Sequence, residues 1–200
     1  MANLANAVTR RVSEAAIRLW CRAAVRRIDL QVEGLEHLPA QGPFVIAARH
    51  FHHFYDGCAL IAASPRPLHL VVTLDWVQNR ITRASMIAAC GAAGWPVVER
   101  AERAGAQPGA GRRLRAATRE CVQVLRAGGA LLIFPEGYPN IDPHPTPKAD
   151  ESVFLPFRPG FLRFVALAER DGVTKVPVLP VGLAYQRAGR WQLTIRLGAP

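Results

Sequence analysis

The chain has 200 residues, half of them hydrophobic, with a formal net charge of +10 at pH 7 and a pI near 10.7. That length suits one domain with a short appendage, and the apolar content supplies a sizeable core and argues against global disorder. The excess positive charge is mostly arginine, which favours anionic partners such as phospholipid headgroups or the phosphates of a CoA or phosphopantetheine group. Residues 4–27 read as a helix, with Leu4, Val8, Val12, Ala15, Ala16, Leu19 and Ala23 at helical spacing and Arg10, Arg11 and Arg18 off that stripe. Such a basic amphipathic helix could lie on an anionic membrane or pack its apolar face on its own domain.

Residues 28–33 alternate like a half-buried strand, a turn region holding Pro39 and Gly42 follows, and Phe44 to Ala48 is a short apolar run expected to be a buried strand. Next come His50, His52, His53 and Asp56, and then a helix through residues 58–63 that Pro65 and Pro67 stop. Residues 68–73 read as a strand, Asp75 as the N-cap of a helix running toward Cys90, and residues 95–98 as a strand ending at Glu99-Arg100. Residues 104–111 look like a flexible link, and 112–127 have helical period up to Gly128-Gly129. Residues 130–134 form a buried strand that runs into Pro135-Glu136-Gly137. The stretch 138–159 holds six prolines and little periodicity, and a loop of that length is often functional. A helix over 161–170, an apolar run over 176–181 whose two prolines suggest an irregular or edge strand, and an alternating strand over 191–196 complete the chain. Strands alternating with helices predict an α/β fold, a largely parallel or mixed sheet flanked by helices.

Cys21, Cys58, Cys90 and Cys121 lie far apart with no C-x-x-C, which argues against a disulfide scaffold or structural zinc and suits a reducing cytosol. No apolar run approaches about 18 residues, and the N-terminus lacks a charged, apolar, small-residue succession, so neither a membrane span nor a signal peptide is expected. The glycines fit no nucleotide loop, and no DNA-reading motif or basic-aromatic cluster points to nucleic acid.

Three apolar strands end abruptly in titratable residues: His50 to Asp56, Glu99-Arg100 and Glu136-Gly137. In open α/β sheets, sites collect beyond the carboxyl ends of strands, so parallel neighbours would bring the three into one cleft. His50 with Asp56 suits a general base held by a carboxylate, which fixes the tautomer and stabilises the imidazolium. A turn histidine and a capping aspartate would look the same. His50, His52, His53 and Asp56 also suggest a metal cluster and hence a metal-dependent hydrolase, although the H-x-H-x-D-H order is broken by Phe54. Arg49, Arg100 and Arg158 are candidate phosphate ligands.

Four blocks stand in order: Ala48-Arg-His-Phe-His-His-Phe-Tyr-Asp-Gly57, Gly94-Trp-Pro-Val-Val-Glu-Arg100, Phe134-Pro-Glu-Gly137 and Val176-Pro-Val-Leu-Pro-Val181. Together they resemble the PlsC-like glycerolipid acyltransferases, the lysophosphatidic acid acyltransferase family, over residues 28–198. There are departures. Five residues separate His50 from Asp56 where the family has four, so His50 or His52 could be the base, and Tyr138 and Pro139 replace the usual threonine and arginine. The resemblance implies a glycerol-3-phosphate acyltransferase-like fold over 28–200, preceded by the amphipathic helix of 1–27. It implies transfer of an acyl group from acyl-CoA or an acyl carrier protein (acyl-ACP) to a lysophospholipid-like hydroxyl. The family's default acceptor is lysophosphatidic acid, giving phosphatidic acid. His50 and Asp56 would catalyse, and Arg100, Glu136, Gly137 and Arg158 would bind the acceptor. No metal or further cofactor is implied, and the enzyme would sit peripherally on the cytoplasmic face of an anionic membrane. A non-catalytic lipid-binding relative is the alternative that the departures suggest.

Overall fold

The computed structural model describes residues 2–100, 109–142, 146–148, 150 and 153–200, with the backbone alone for 2–11 and 110. Most of the expected link at 104–111 lies outside these residues, as does His144. The strands are Asp29–Glu33 (β1), Phe44–Ala48 (β2), Leu68–Leu70 (β3), Val72–Thr73 (β4), Val97–Val98 (β5), Ala130–Ile133 (β6), Val178–Ala188 (β7) and Arg190–Leu197 (β8). The α-helices are Ala2–Val25 (α1), Tyr55–Ala63 (α2), Arg80–Ala93 (α3), Ala110–Arg126 (α4) and Leu162–Ala168 (α5).

Six strands form one mixed sheet in the order β1-β8-β7-β2-β6-β3, parallel at every step except the antiparallel β7–β8 pair. At its centre β2 is buried along its whole length, as its unbroken apolar run requires of a strand covered on both faces. Phe44, Ile46 and Ala48 enter one core with Cys21 and Val25 of α1 and Cys58 to Ile61 of α2. Val45 and Ala47 enter the other, with Cys121 and Leu125 of α4 and Phe164 and Ala168 of α5. The result is the expected α/β arrangement with helices on both faces.

Four expectations change. The strand read at 68–73 is cut at Val71: its N–H reaches Leu132 at 2.9 Å, but that of Val72 turns to Pro96 at 2.9 Å, so β4 leaves the main sheet to pair with β5. The helix read from Asp75 begins later, because Asn79 is the cap and accepts from the N–H groups of Ile81 (2.9 Å) and Thr82 (3.1 Å). The run at 176–181 is an interior strand and not an edge, and β7 continues to Ala188 in a long hairpin with β8. Pro180 is tolerated there because the β8 ladder ends with Leu197 opposite Val181, so the missing N–H falls beyond it, while the Pro180 carbonyl accepts from Gly198 at 2.8 Å. In α1, the buried positions are Cys21 and Val25, with Ile17 and Ala24 half-buried beside them, whereas the stripe of Val12, Ala15, Ala16, Leu19 and Ala23 faces outward.

Candidate active site

Because β2 and β6 are parallel neighbours, the segments that leave their carboxyl ends meet. The chain leaving β2 turns through residues 49–54 before α2 begins at Tyr55, which places Asp56 in the first turn of that helix and under the chain it has just left. His50 Nδ1 lies 2.9 Å from Asp56 Oδ2, and the same oxygen accepts the backbone N–H groups of Phe51 (2.6 Å) and His52 (2.9 Å). The Tyr185 hydroxyl donates to the other oxygen at 2.7 Å. The turn thus absorbs the extra residue between His50 and Asp56.

Asp56 is fully buried, and a carboxylate so held accepts only, so the proton between it and His50 belongs to Nδ1. In the neutral ring that leaves the Nε2 lone pair for a proton. The ring stacks on Phe134 at 4.1 Å between centroids and 15° between planes, and its side chain is only 14% exposed. His52 is turned elsewhere: its Nδ1 accepts from Phe54 (3.2 Å) and Tyr55 (3.4 Å), capping α2. Burial pushes its pKa down, and the neighbouring His53 adds to the effect. His53 Nδ1 lies against the Ile141 carbonyl at 3.2 Å. The histidines therefore do not converge with Asp56 as a ligand set, and no group of three or more His, Cys, Asp or Glu among the described residues is arranged to hold a metal.

At the end of β6, Glu136 is fully buried and both its oxygens are engaged. Oε1 accepts the N–H of His50 at 2.9 Å; Oε2 accepts from Lys148 Nζ at 2.7 Å and from the Leu155 N–H at 3.0 Å. Lys148 also donates to the His50 carbonyl at 2.7 Å and to Asn140 Oδ1 at 3.0 Å. The His50 peptide is therefore gripped at both ends by one buried ion pair, and Glu136, expected among the acceptor ligands, faces inward. Burial lowers the Lys148 pKa, and the Glu136 carboxylate opposes the shift.

Gly137 takes φ +76°, a left-handed conformation that favours glycine, and its N–H closes a turn onto the Phe134 carbonyl at 3.0 Å. Arg158 packs against that turn, with its guanidinium carbon 5.6 Å from the Tyr138 ring centroid. The Arg100 guanidinium carbon lies 4.1 Å from the same centroid, while Arg100 Nη1 pairs with Asp75 at 3.2 Å. Arg100 thus comes to the cleft across Tyr138, but Glu99 turns to Arg113 of α4 at 2.6 Å and Arg83 of α3 at 3.6 Å. Arg49 lies over Phe154, 3.7 Å from the ring centroid. A cavity of about 470 Å³ opens beside the clamp, lined by Glu136, Tyr138, Pro147, Leu155, Pro156 and Arg158. A second, of about 310 Å³, lies between α1 and the far end of the sheet, near Leu68 and Trp95.

The sequence profile of the Acyltransferase family matches residues 29–184, most of the chain, from β1 to the residue before Tyr185. The chain belongs to the Acyltransferase family. As an acyltransferase it joins an acyl donor to an acceptor, and its fold agrees with that of a solved family enzyme. The crystal structure of the 1-acyl-sn-glycerophosphate (LPA) acyltransferase PlsC from Thermotoga maritima superposes with a TM-score of 0.60 at 17% identity. The likeness covers 96% of this chain and 69% of that one. No curated protein matches the chain in sequence.

In this acyltransferase, the structure brings together His50, Asp56, Glu136, Gly137 and Arg158, with Arg100 joined through Tyr138. Sequence reasoning missed Lys148 and Tyr185. The first sits in the proline-rich stretch, where nothing periodic marks it. The second had a weak sign, since Val181, Leu183 and Tyr185 continue the alternation of the strand past the point where the apolar run stops.

Proposed function

We propose that this enzyme moves an acyl group from the thioester of acyl-CoA or acyl-ACP to the hydroxyl of a lysophospholipid-like acceptor, with lysophosphatidic acid as the default. The observation that carries the reading is the 2.9 Å contact of His50 Nδ1 with a buried Asp56, which leaves Nε2 to act. Nε2 takes the acceptor's hydroxyl proton as its oxygen attacks the thioester carbonyl carbon. The tetrahedral intermediate collapses, the C–S bond breaks, and the imidazolium returns the proton to the departing thiolate. The scheme uses no covalent acyl-enzyme, metal or other cofactor. Glu136 and Lys148 hold the His50 backbone in place, and Arg100, Arg158 and the Gly137 turn bind the acceptor's phosphate. The extra residue that kept a non-catalytic relative in view does not part His50 from Asp56.

Among the described residues, no helix is long and apolar enough to cross a membrane. We place the enzyme peripherally on the cytoplasmic face of an anionic membrane. The outward apolar stripe of α1 supports this, as does Trp20, which is 55% exposed and meets Phe54 of the site loop edge-on at 5.3 Å between centroids. The test is thioester consumption by purified protein with long-chain acyl-CoA or acyl-ACP and a panel of lysophospholipids. Wild type should turn over, while His50→Ala and Asp56→Asn should each lose about 10²- to 10⁴-fold in kcat. Undiminished transfer by His50→Ala would remove the assigned base.

A further inference from the structure

The geometry points to Tyr185 as a positioning residue that sets the proton affinity of the His50–Asp56 pair. The inference rests on the reading of His50 as the base. Because β7 runs parallel to β2 and outlasts it, residues beyond Val181 extend past the end of β2 and alongside the loop that carries His50. Alternation puts Val181, Leu183 and Tyr185 on the face covered by α1 and α2, where Asp56 lies. The Tyr185 ring stacks on Phe51 at 4.7 Å and 21°, and meets Trp191 of β8 edge-on at 6.2 Å. Its hydroxyl is thereby aimed at Asp56 Oδ1, 2.7 Å away, on the oxygen that His50 does not use.

The carboxylate therefore faces two kinds of donor. Oδ2 serves the backbone of residues 51 and 52 and the imidazole; Oδ1 serves the phenol. Each donor draws charge from the carboxylate and weakens its hold on the imidazolium. Among the described residues, the other titratable groups around the pair are His52, with His53 and Asp142 beyond it, Tyr55 and Cys58 at the start of α2, Cys21 of α1 behind Cys58, Glu136 and Lys148 at the His50 backbone, and Arg49. Tyr185 comes from the other side, off β7, and bonds Oδ1 directly. Burial, with the Asp56 charge second, pushes its pKa well up, so the phenol stays protonated and keeps donating.

Tyr185→Phe removes the hydroxyl and keeps both ring contacts. The freed charge on Asp56 then holds the imidazolium longer, so the acid limb of kcat/KM against pH should move up by about 0.5–1 pH unit with little change in KM. Site-specific 3-fluorotyrosine at position 185 makes a stronger donor, and the limb should move down. NMR titration of the His50 ring in each protein reads the same midpoint without turnover. It therefore decides the matter even if no acceptor is found, and the fluorinated protein decides it if Tyr185→Phe does not fold. Midpoints that move in these opposite directions establish the role. Midpoints that coincide with wild type overturn it, and leave the assignment of His50 as base to stand or fall on its own variant.

Discussion

Two imidazoles, two positions apart, do opposite jobs. His50 donates a hydrogen bond from its Nδ1–H to a carboxylate, and His52 uses its Nδ1 lone pair to accept backbone amides at the start of α2. The second role needs a neutral ring, and burial lowers the His52 pKa below its ordinary value of 6.5. The sign follows from proton counting: below pH 6.5 the unfolded chain takes up a proton at this site before the folded one does. The contribution is present above that pH and is lost as pH falls through the lower folded value. Asn at position 52 can cap without titrating, so wild type should lose stability relative to His52→Asn as the pH drops from about 7 to about 5. Urea unfolding at each pH reads this, and parallel curves would speak against it. The capping part played by His52 was not legible in the sequence for a definite reason. Spacing of i, i+4 pairs residues only within a helix, and α2 begins at Tyr55, after His52. Lys148 was equally hidden, since 98 positions separate it from the His50 carbonyl that it grips.

At the scale of elements, β2 and β6 could be read directly, because a short unbroken apolar run is what a strand buried on both faces demands. The departures came where partners and not composition decide. β4 left the main sheet because Pro96 offered its carbonyl to Val72, and β7 is interior because β2 and β8 pair with its two edges, Pro180 being tolerated where the β8 ladder stops short of it. One junction can be tested. Gly34, at the end of β1, has φ +79°, and a Cβ there would collide with the Leu197 carbonyl, a backbone atom that cannot swing aside. Gly34→Ala should cost about 2 kcal/mol or more, since the left-handed conformation alone disfavours a side chain by about 1–2 kcal/mol. Guanidinium unfolding measures it, and a loss under about 0.5 kcal/mol would mean that β1 and β8 separate at that point without penalty.

For the molecule as a whole, charge and exposed apolar surface point the same way. A net +10 attracts an anionic bilayer, and the outer stripe of α1 offers it Val12, Leu19 and Trp20. The protein should sediment with phosphatidylserine vesicles, lose most of that binding as salt rises from about 0.05 to about 0.5 M, and ignore phosphatidylcholine vesicles. Equal retention on both lipids would overturn the electrostatic part of that picture. Composition foretold the basic surface, but not which side of α1 would be outermost, because the small residues of its stripe compete poorly with Ile17, Cys21 and Val25 for the packed side.

The grip of Lys148 on His50 has a consequence for anyone who would re-engineer substrate choice. The stretch that walls the 470 Å³ cavity, with Pro147 and Leu155 in it, is also the stretch whose ammonium steadies His50. Transplanting that segment from another acyltransferase exchanges the cavity lining and the support of the His50 turn in a single cut. A chimera that keeps an ammonium in register with Glu136 preserves turnover while preference changes; one that omits it confounds the two.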